Sequence, residues 1–146
     1  MPIYFFNDDF KFSLKGRRTI RNWLTQIIEN SNYSVGEINI IFTSENRILS
    51  INREYLNHNY LTDIITFPYT TGNIVSSDIY ICIPVVKFNA HKFNQLFSQE
   101  LNRVIVHGVL HLIGYNDSTE NQIKQMRKAE DDCLLKLKEM NNAKRV

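Results

Sequence analysis

Two histidines and an aspartate near residue 110 have the side-chain types and the spacing of a metal site. His107 and His111 are four residues apart, so both lie on one face of a helix and can reach one ion. Gly114 follows, where a glycine can end the helix in a left-handed conformation. The chain can then reverse and return Asp117 to the same ion. The pattern therefore predicts one metal site with the ligands His107, His111 and Asp117.

The number of ligands indicates which chemistry the ion supports. Three protein ligands leave a coordination position for water, which is typical of catalytic rather than structural zinc sites. The residue after His107 is Gly108, whereas a zinc protease has its glutamate base there, so peptide hydrolysis is disfavoured. The pattern leaves three alternatives open: two satisfied core histidines, a fourth ligand from elsewhere in the chain, and an iron site with two histidines and one carboxylate.

Two further acids have positions from which they could serve this site. Glu100 lies two helical turns before His107, and it is a candidate catalytic residue, as a proton acceptor or as a partner that orients a ligand. Its alternative is an ordinary acid in the first turn of a helix. Asp78 is a second candidate, because a carboxylate that hydrogen-bonds a ligand histidine fixes the orientation of the ring. Its alternative is a plain acid on an edge strand.

The elements that must position these residues follow from hydrophobic periodicity and turn residues. Apolar or alternating runs predict strands over residues 3–6, 37–42, 63–69 and 74–83, the last two antiparallel. Helical spacing and capping residues predict helices over 14–30, 45–55, 85–96, 98–113 and 118–140. The order βαβαββααα predicts an α/β (α+β) fold, a small mixed sheet of about four strands packed with helices, in a single domain over residues 1–146.

Composition is typical of an ordinary cytosolic protein. The 146 residues are 43% hydrophobic and 22% charged, and the formal net charge of +2 permits a nucleic-acid partner without requiring one. Cys82 and Cys133 lack metal-ligand spacing, which indicates free thiols in a reducing compartment. With no recognisable leader and no membrane-spanning run, we expect a cytoplasmic protein without a membrane partner and without a small organic cofactor.

Five segments of the chain resemble one known family. Residues 107–117 read HGVLHLIGYND, close to the motif HGxLHLxGYDH, and Glu100-Leu101 precede them as in that family. Residues 52–55 with 62–67 are close to NxxYR and TDVLSF, and residues 77–81 are close to GDIxI. The chain thus resembles the YbeY endoribonucleases, which mature ribosomal RNA. The resemblance implies one zinc ion (Zn²⁺), a zincin-like metal helix, and single-strand-specific cleavage at the 3′ end of 16S ribosomal RNA, with ribosomal RNA and the small ribosomal subunit as partners.

Two departures from the family pattern fall at functional positions. Asp117 stands where the motif has a third histidine, and it cancels one unit of the ion's charge, so the ion is a weaker Lewis acid and divalent metals other than zinc become more competitive. Leu56 stands where the motif has an arginine, which would suit the charge that develops on a phosphoryl group. Arg53 lies one helical turn earlier and is the candidate catalytic replacement, with a solvated surface arginine as its alternative.

These observations predict a metal-dependent endoribonuclease. Another zincin-like metal hydrolase is one alternative, and the missing glutamate after His107 argues against its protease form. A non-catalytic, ribosome-associated RNA-binding protein with a residual metal site is the other alternative, and Leu56 is the residue that supports it.

Overall fold

A computed structural model describes residues 2–144 of the chain. Its elements follow one another in the predicted order βαβαββααα. Their bounds are β1 Ile3–Asn7, α1 Arg17–Asn30, β2 Ser34–Thr43, α2 Glu45–Leu56, β3 Ile64–Pro68, β4 Ile74–Cys82, α3 Ile83–Lys92, α4 Phe97–Leu112 and α5 Glu120–Ala143.

The four strands form one mixed sheet in the order β1-β2-β4-β3. The pairs β1–β2 and β2–β4 are parallel, whereas β3 pairs with β4 as the antiparallel hairpin that the sequence predicts. In β4, Ile79 and Ile81 are fully buried and alternate with the partly exposed Asp78 and Tyr80. Because successive side chains in a strand point to opposite faces, this alternation assigns the isoleucines to one face of the sheet and Asp78 and Tyr80 to the other.

The two faces of the sheet are covered unequally. Helices α1, α4 and α5 pack on the isoleucine face and close the main core, which includes Trp23, Ile40, Ile79 and Val109. On the opposite face a smaller apolar cluster under α2 covers the β3–β4 end of the sheet. At the β1 end of that face, Tyr4 is 44% exposed. The helix that carries the metal motif, α4, therefore lies on the well-covered face, against β3 and β4.

The helix ends differ from the predicted ones for local reasons. The first helix begins at Arg17 rather than 14, because Gly16 before it has a left-handed backbone. The third ends at Lys92 rather than 96, and Asn94 takes a positive φ of 57°. The last begins at Glu120, where Thr119 forms a capping box, and runs to Ala143, past the predicted end at 140. Within residues 2–144, the helices all fall short of the combined length and apolarity that a membrane crossing requires.

Candidate metal centre

Helix α4 is amphipathic, and its packing directs both histidines to the same side. Val106, Val109 and Leu110 are buried in the core, whereas His107 and His111 are only partly buried. Between them, Gly108 allows the helix to approach the sheet closely, since a Cβ there would lie 2.8 Å from Ile64 Cδ1. The two histidines consequently lie at the surface next to β3, with side-chain exposures of 25% and 28%.

The turn after α4 brings the third ligand back. Gly114 has a φ of 107°, which favours glycine, and its N–H donates to the His111 carbonyl at 3.2 Å. The N–H of Tyr115 donates to the Leu110 carbonyl at 3.0 Å, which completes the helix end. The chain then reverses, and Asp117 lies beside the two histidines as predicted.

The three ligand atoms form a triangle that fits a zinc ion. His107 Nε2 and His111 Nε2 are 3.1 Å apart, and Asp117 Oδ2 lies 3.6 Å from the first and 3.3 Å from the second. With bonds of about 2.0–2.1 Å, the edges of a tetrahedral zinc site are about 3.3–3.4 Å long. The donor set of two imidazoles and one carboxylate is also an ordinary zinc set. The residues present therefore fit the ion.

A buried glutamate on α5 orients the first histidine. Glu130 is 5% exposed, and its Oε2 lies 2.7 Å from His107 Nδ1. Arg103 donates to Glu130 Oε1 at 2.8 Å and to Asp131 Oδ1 at 2.7 Å, which holds the carboxylate in place. An ionised carboxylate only accepts, so Nδ1 of His107 carries the proton of the neutral ring. The lone pair of Nε2 is then free for a metal, as in the carboxylate–histidine pairs of zinc sites.

The pKa values of this pair reflect the same contact. Burial disfavours the charged form of His107, but the hydrogen bond and attraction from Glu130, with further attraction from Asp117 and Asp63, outweigh it and raise its pKa. Burial likewise opposes the Glu130 carboxylate, yet His107 and Arg103 lower the pKa of Glu130 overall. Glu130 is therefore ionised at neutral pH, as the tautomer argument requires.

The sequence reasoning missed Glu130. Its signal was an acid at a core-facing position of an amphipathic helix, since Met126 before it and Leu137 after it are buried on the same helix. A charged residue at such a position requires a partner. Nothing in the sequence identified that partner as His107, which lies 23 residues earlier on another helix.

Asp78, expected to hydrogen-bond a ligand histidine, lies on the opposite face of the sheet. Its carboxylate accepts from Asn39 Nδ2 at 3.0 Å and from the Tyr69 hydroxyl at 3.3 Å. The next residue, Ile79, faces α4, and strand alternation therefore turns Asp78 away from it. The contact that the sequence analysis predicted for Asp78 is the one that Glu130 makes.

Glu100 is buried on α4, two helical turns before His107, and it is not among the hydrogen-bond partners of His107 or His111. It is 7% exposed, and burial, followed by repulsion from Asp63, raises its pKa against the attraction of Arg103. Asp63 is partly buried, desolvation raises its pKa, and the nearby His107 opposes the rise. Of these two acids with raised pKa values, Asp63 is the one whose charge acts on His107.

Arg53 is directed to its own loop. Its Nε donates to Asn59 Oδ1 at 2.5 Å, in the segment that follows α2. Leu56, in the last turn of α2, is 40% exposed and lines a shallow pocket beside β3. The phosphate contact predicted for Arg53 therefore stays a prediction, and the structure shows that this side chain holds the loop.

Comparisons with known proteins agree with the fold and the motif. Residues 5–138 match the family model described as endoribonuclease YbeY. Among relatives named endoribonuclease YbeY, the protein of Azobacteroides pseudotrichonymphae is 42% identical over 94% of this chain and 99% of its own length. That of Flavobacterium johnsoniae is 43% identical over 88% and 93%, and that of Parabacteroides distasonis is 37% identical over 95% and 98%.

A solution structure of a Thermotoga maritima protein has the same fold, with a TM-score of 0.63 and 26% identity over 94% of this chain and 92% of that one. The predicted mixed sheet packed with helices is thereby confirmed. On the family model and these relatives, the chain belongs to the YbeY family of endoribonucleases.

Proposed function

We propose that this chain is a zinc-dependent endoribonuclease that cleaves single-stranded ribosomal RNA in the cytoplasm, at the 3′ end of 16S RNA, as part of small-subunit maturation. One observation carries the proposal: in a chain of the YbeY family, three candidate ligand atoms form a triangle of zinc dimensions. A zinc ion held by three protein ligands keeps a fourth position for a reacting group.

Each residue of the centre has a definite task. His107, His111 and Asp117 would hold the ion, and Glu130 keeps the His107 ring in the tautomer that binds it. A bound zinc ion supplies Lewis acidity toward the phosphate and lowers the pKa of a coordinated water. Asp117 is 47% exposed and contributes a negative charge, so metals that prefer oxygen ligands compete better here than at three histidines.

The proton acceptor that we propose is Glu100. Its buried position raises its pKa, which makes the carboxylate a stronger base than an exposed one. Asp63 is the alternative acceptor, because its negative charge contributes to the raised pKa of His107. Comparing Glu100→Gln with Asp63→Asn distinguishes the two. The pKa of the basic group disappears from the pH–rate profile of cleavage only in the variant that lacks the acceptor.

The proposal is tested by measuring metal content and RNA cleavage on the same preparations. We expect the wild type to contain about one zinc per chain and to cleave a single-stranded RNA spanning the 3′ end of the 16S precursor, but not its duplex. His111→Ala is expected to lose both metal and cleavage. His91→Ala is the matched control, because His91 is exposed on α3 and lies outside the ligand group.

The non-catalytic alternative is favoured by Leu56, where the family motif has an arginine. A wild type that binds zinc but leaves every RNA intact would contradict the nuclease proposal. If Leu56→Arg then cleaved the same RNA, the natural chain would be a binding protein with a residual metal site. Equal cleavage by wild type and Leu56→Arg would show instead that this position is not needed for catalysis.

A further inference from the structure

The segment after α2 presents two aromatic rings to solvent in a fixed arrangement. Helix α2 ends at Leu56 because Asn57 takes a left-handed conformation with a φ of 55°. The rings of His58 and Tyr60 then stack, with centroids 5.2 Å apart and planes 17° from parallel. A hydrogen bond of 3.1 Å joins the Tyr60 hydroxyl to His58 Nδ1, and Tyr60 stays 56% exposed. We call residues 57–60 the aromatic loop.

Helix α2 holds the aromatic loop through hydrogen bonds. Asn52 is 1% exposed, its side-chain amide donates to the Tyr60 carbonyl at 2.9 Å, and its carbonyl accepts from the His58 N–H at 3.0 Å. Arg53 adds the hydrogen bond to Asn59 described above. Three contacts from one helix turn thus hold His58, Asn59 and Tyr60. A surface that is already ordered loses less entropy when a ligand binds to it.

The aromatic loop lies beside the metal centre. His58 and Tyr60 line a shallow pocket of about 270 Å³ together with Leu56, Thr62 and residues 64–66. The far wall of this pocket is β3, and Ile64 and Thr66 of β3 also contact α4 at Gly108, next to His107. The pocket and the centre therefore share β3 as a wall, and the partly buried Asp63, just before β3, interacts electrostatically with His107.

The lining of the pocket suits a base better than a phosphate. The side chains that line it include no lysine, arginine or carboxylate, and they combine apolar surface with threonine hydroxyls and the Asn52 amide. The volume is below the range of about 300–1,000 Å³ that is typical of pockets for whole small ligands. Exposed aromatic rings on a preformed surface are the usual platform for bases of single-stranded RNA.

We infer that the aromatic loop and this pocket form a subsite for one nucleobase of single-stranded RNA, adjacent to the phosphate that is cleaved. The inference rests on the proposed function, because it assigns the RNA chain a path past the metal centre. A base stacked on Tyr60 positions the RNA backbone where the family motif places an arginine and this chain has Leu56. Stacking replaces charge as the means of holding the substrate at this point.

The test measures binding of a fluorescent single-stranded oligoribonucleotide to metal-free protein, by anisotropy at constant salt. Tyr60→Ala is expected to weaken binding by on the order of 5- to 150-fold, the range for loss of one stacked base. Tyr60→Phe keeps the ring and is expected to bind far more tightly than Tyr60→Ala. Phe88→Ala is the matched control, because Phe88 is 66% exposed on α3 and outside the pocket, and it is expected to bind like the wild type.

A second RNA, which lacks one base, identifies the nucleotide that stacks on Tyr60. We expect an oligonucleotide with one abasic position next to the cleavage site to bind the wild type as weakly as the intact RNA binds Tyr60→Ala. Combining the two changes should cost little more than either alone, because both remove one stacking contact. Fully additive losses, or intact binding by Tyr60→Ala, would overturn the inference.

Steady-state cleavage distinguishes this subsite from the nuclease proposal itself. With metal restored, Tyr60→Ala is expected to raise KM more than it lowers kcat, and its metal content should equal that of the wild type. If the wild type binds RNA through Tyr60 but never cleaves it, the nuclease proposal fails and the subsite stands. If the wild type cleaves and Tyr60→Ala has the same KM, the subsite fails and the nuclease proposal stands.

Discussion

Replacing Glu130 by glutamine tests whether a buried carboxylate on α5 controls metal binding on α4. Glutamine has nearly the same shape, and its carbonyl oxygen can still accept from His107 Nδ1, so the charge of the partner is removed together with the oxygen that accepts from Arg103. Arg103 keeps Asp131 as a partner at 2.7 Å, and Asp131 is 58% exposed, so the guanidinium is not left unpaired. The substitution therefore perturbs the hydrogen bond of 2.7 Å to His107 more than the packing around it.

The expected loss follows from the role of such partners. Removing a carboxylate that orients a ligand histidine typically lowers metal affinity by about 10- to 100-fold. At 1.36 kcal/mol for each factor of ten, this corresponds to roughly 1.4–2.7 kcal/mol of binding free energy. The effect should lie toward the upper part of this range, because Glu130 is almost fully buried and the contact is little screened by water.

The assay is a zinc titration of the purified protein in competition with a chromophoric chelator. Asp131→Asn is the control, because it removes the other carboxylate on Arg103 without touching His107, and its affinity is expected to stay close to that of the wild type. Circular dichroism establishes that each variant is folded. A folded Glu130→Gln that binds zinc as tightly as Asp131→Asn would refute the role assigned to Glu130.

Three further outcomes follow from packing and burial. Burial raises the pKa of Cys82 to about 11 from an ordinary value of 9.0, so at pH 8 its thiolate fraction is about 100-fold lower than in the unfolded chain, and mass spectrometry should show slow alkylation unless denaturant is added. Burial and then Asp63 raise the pKa of Glu100, so the folded chain binds the proton of this carboxyl group more tightly than the unfolded chain does. The stability that this proton gives the fold is complete below the ordinary pKa of 4.5, and it is lost as the pH rises through the raised pKa of the folded state. Glu100→Gln should therefore raise Tm at pH 7 but not at pH 4, and a lower Tm at pH 7 would contradict this. Gly36→Ala should destabilise the fold by about 1–3 kcal/mol in urea unfolding, because the new Cβ would clash with Ser76 Oγ at the irregular β2–β4 pairing, and an unchanged midpoint would disprove the clash.

Much of the fold could be predicted because each element carries its own local signal. The alternation over residues 37–42 predicted the core of β2, and the hairpin of β3 and β4 followed from two β-rich runs joined by a Thr-Thr-Gly-Asn turn. The parallel pairing of β2 with β4 could not be read in this way. It joins strands that are separated in the sequence by helix α2 and strand β3, so no single turn or local pattern indicates the pairing.

The grouping of His107, His111 and Asp117 was predictable for the same reason, since the three residues lie within eleven residues of one helix and its turn. The residue that orients His107 was not, because Glu130 reaches it only through the packing of α5 on α4. The sequence pattern placed Asp78 on the returning strand of the hairpin but did not define the face of the sheet on which it lies. Local patterns predict contacts within an element, whereas contacts between elements depend on packing.

The buried indole on α1 gives this protein a natural optical reporter. Trp23 is the only tryptophan in the sequence and is fully buried, and its N–H donates to the Cys133 carbonyl at 2.8 Å. Cys133 follows Glu130 by three residues on α5. Tryptophan emission therefore depends on the packing of α5, the helix that carries Glu130, against α1, and it shifts to longer wavelength if α5 detaches. Metal loss with unchanged emission identifies a failure confined to the ligands, whereas metal loss with a red shift identifies the release of α5.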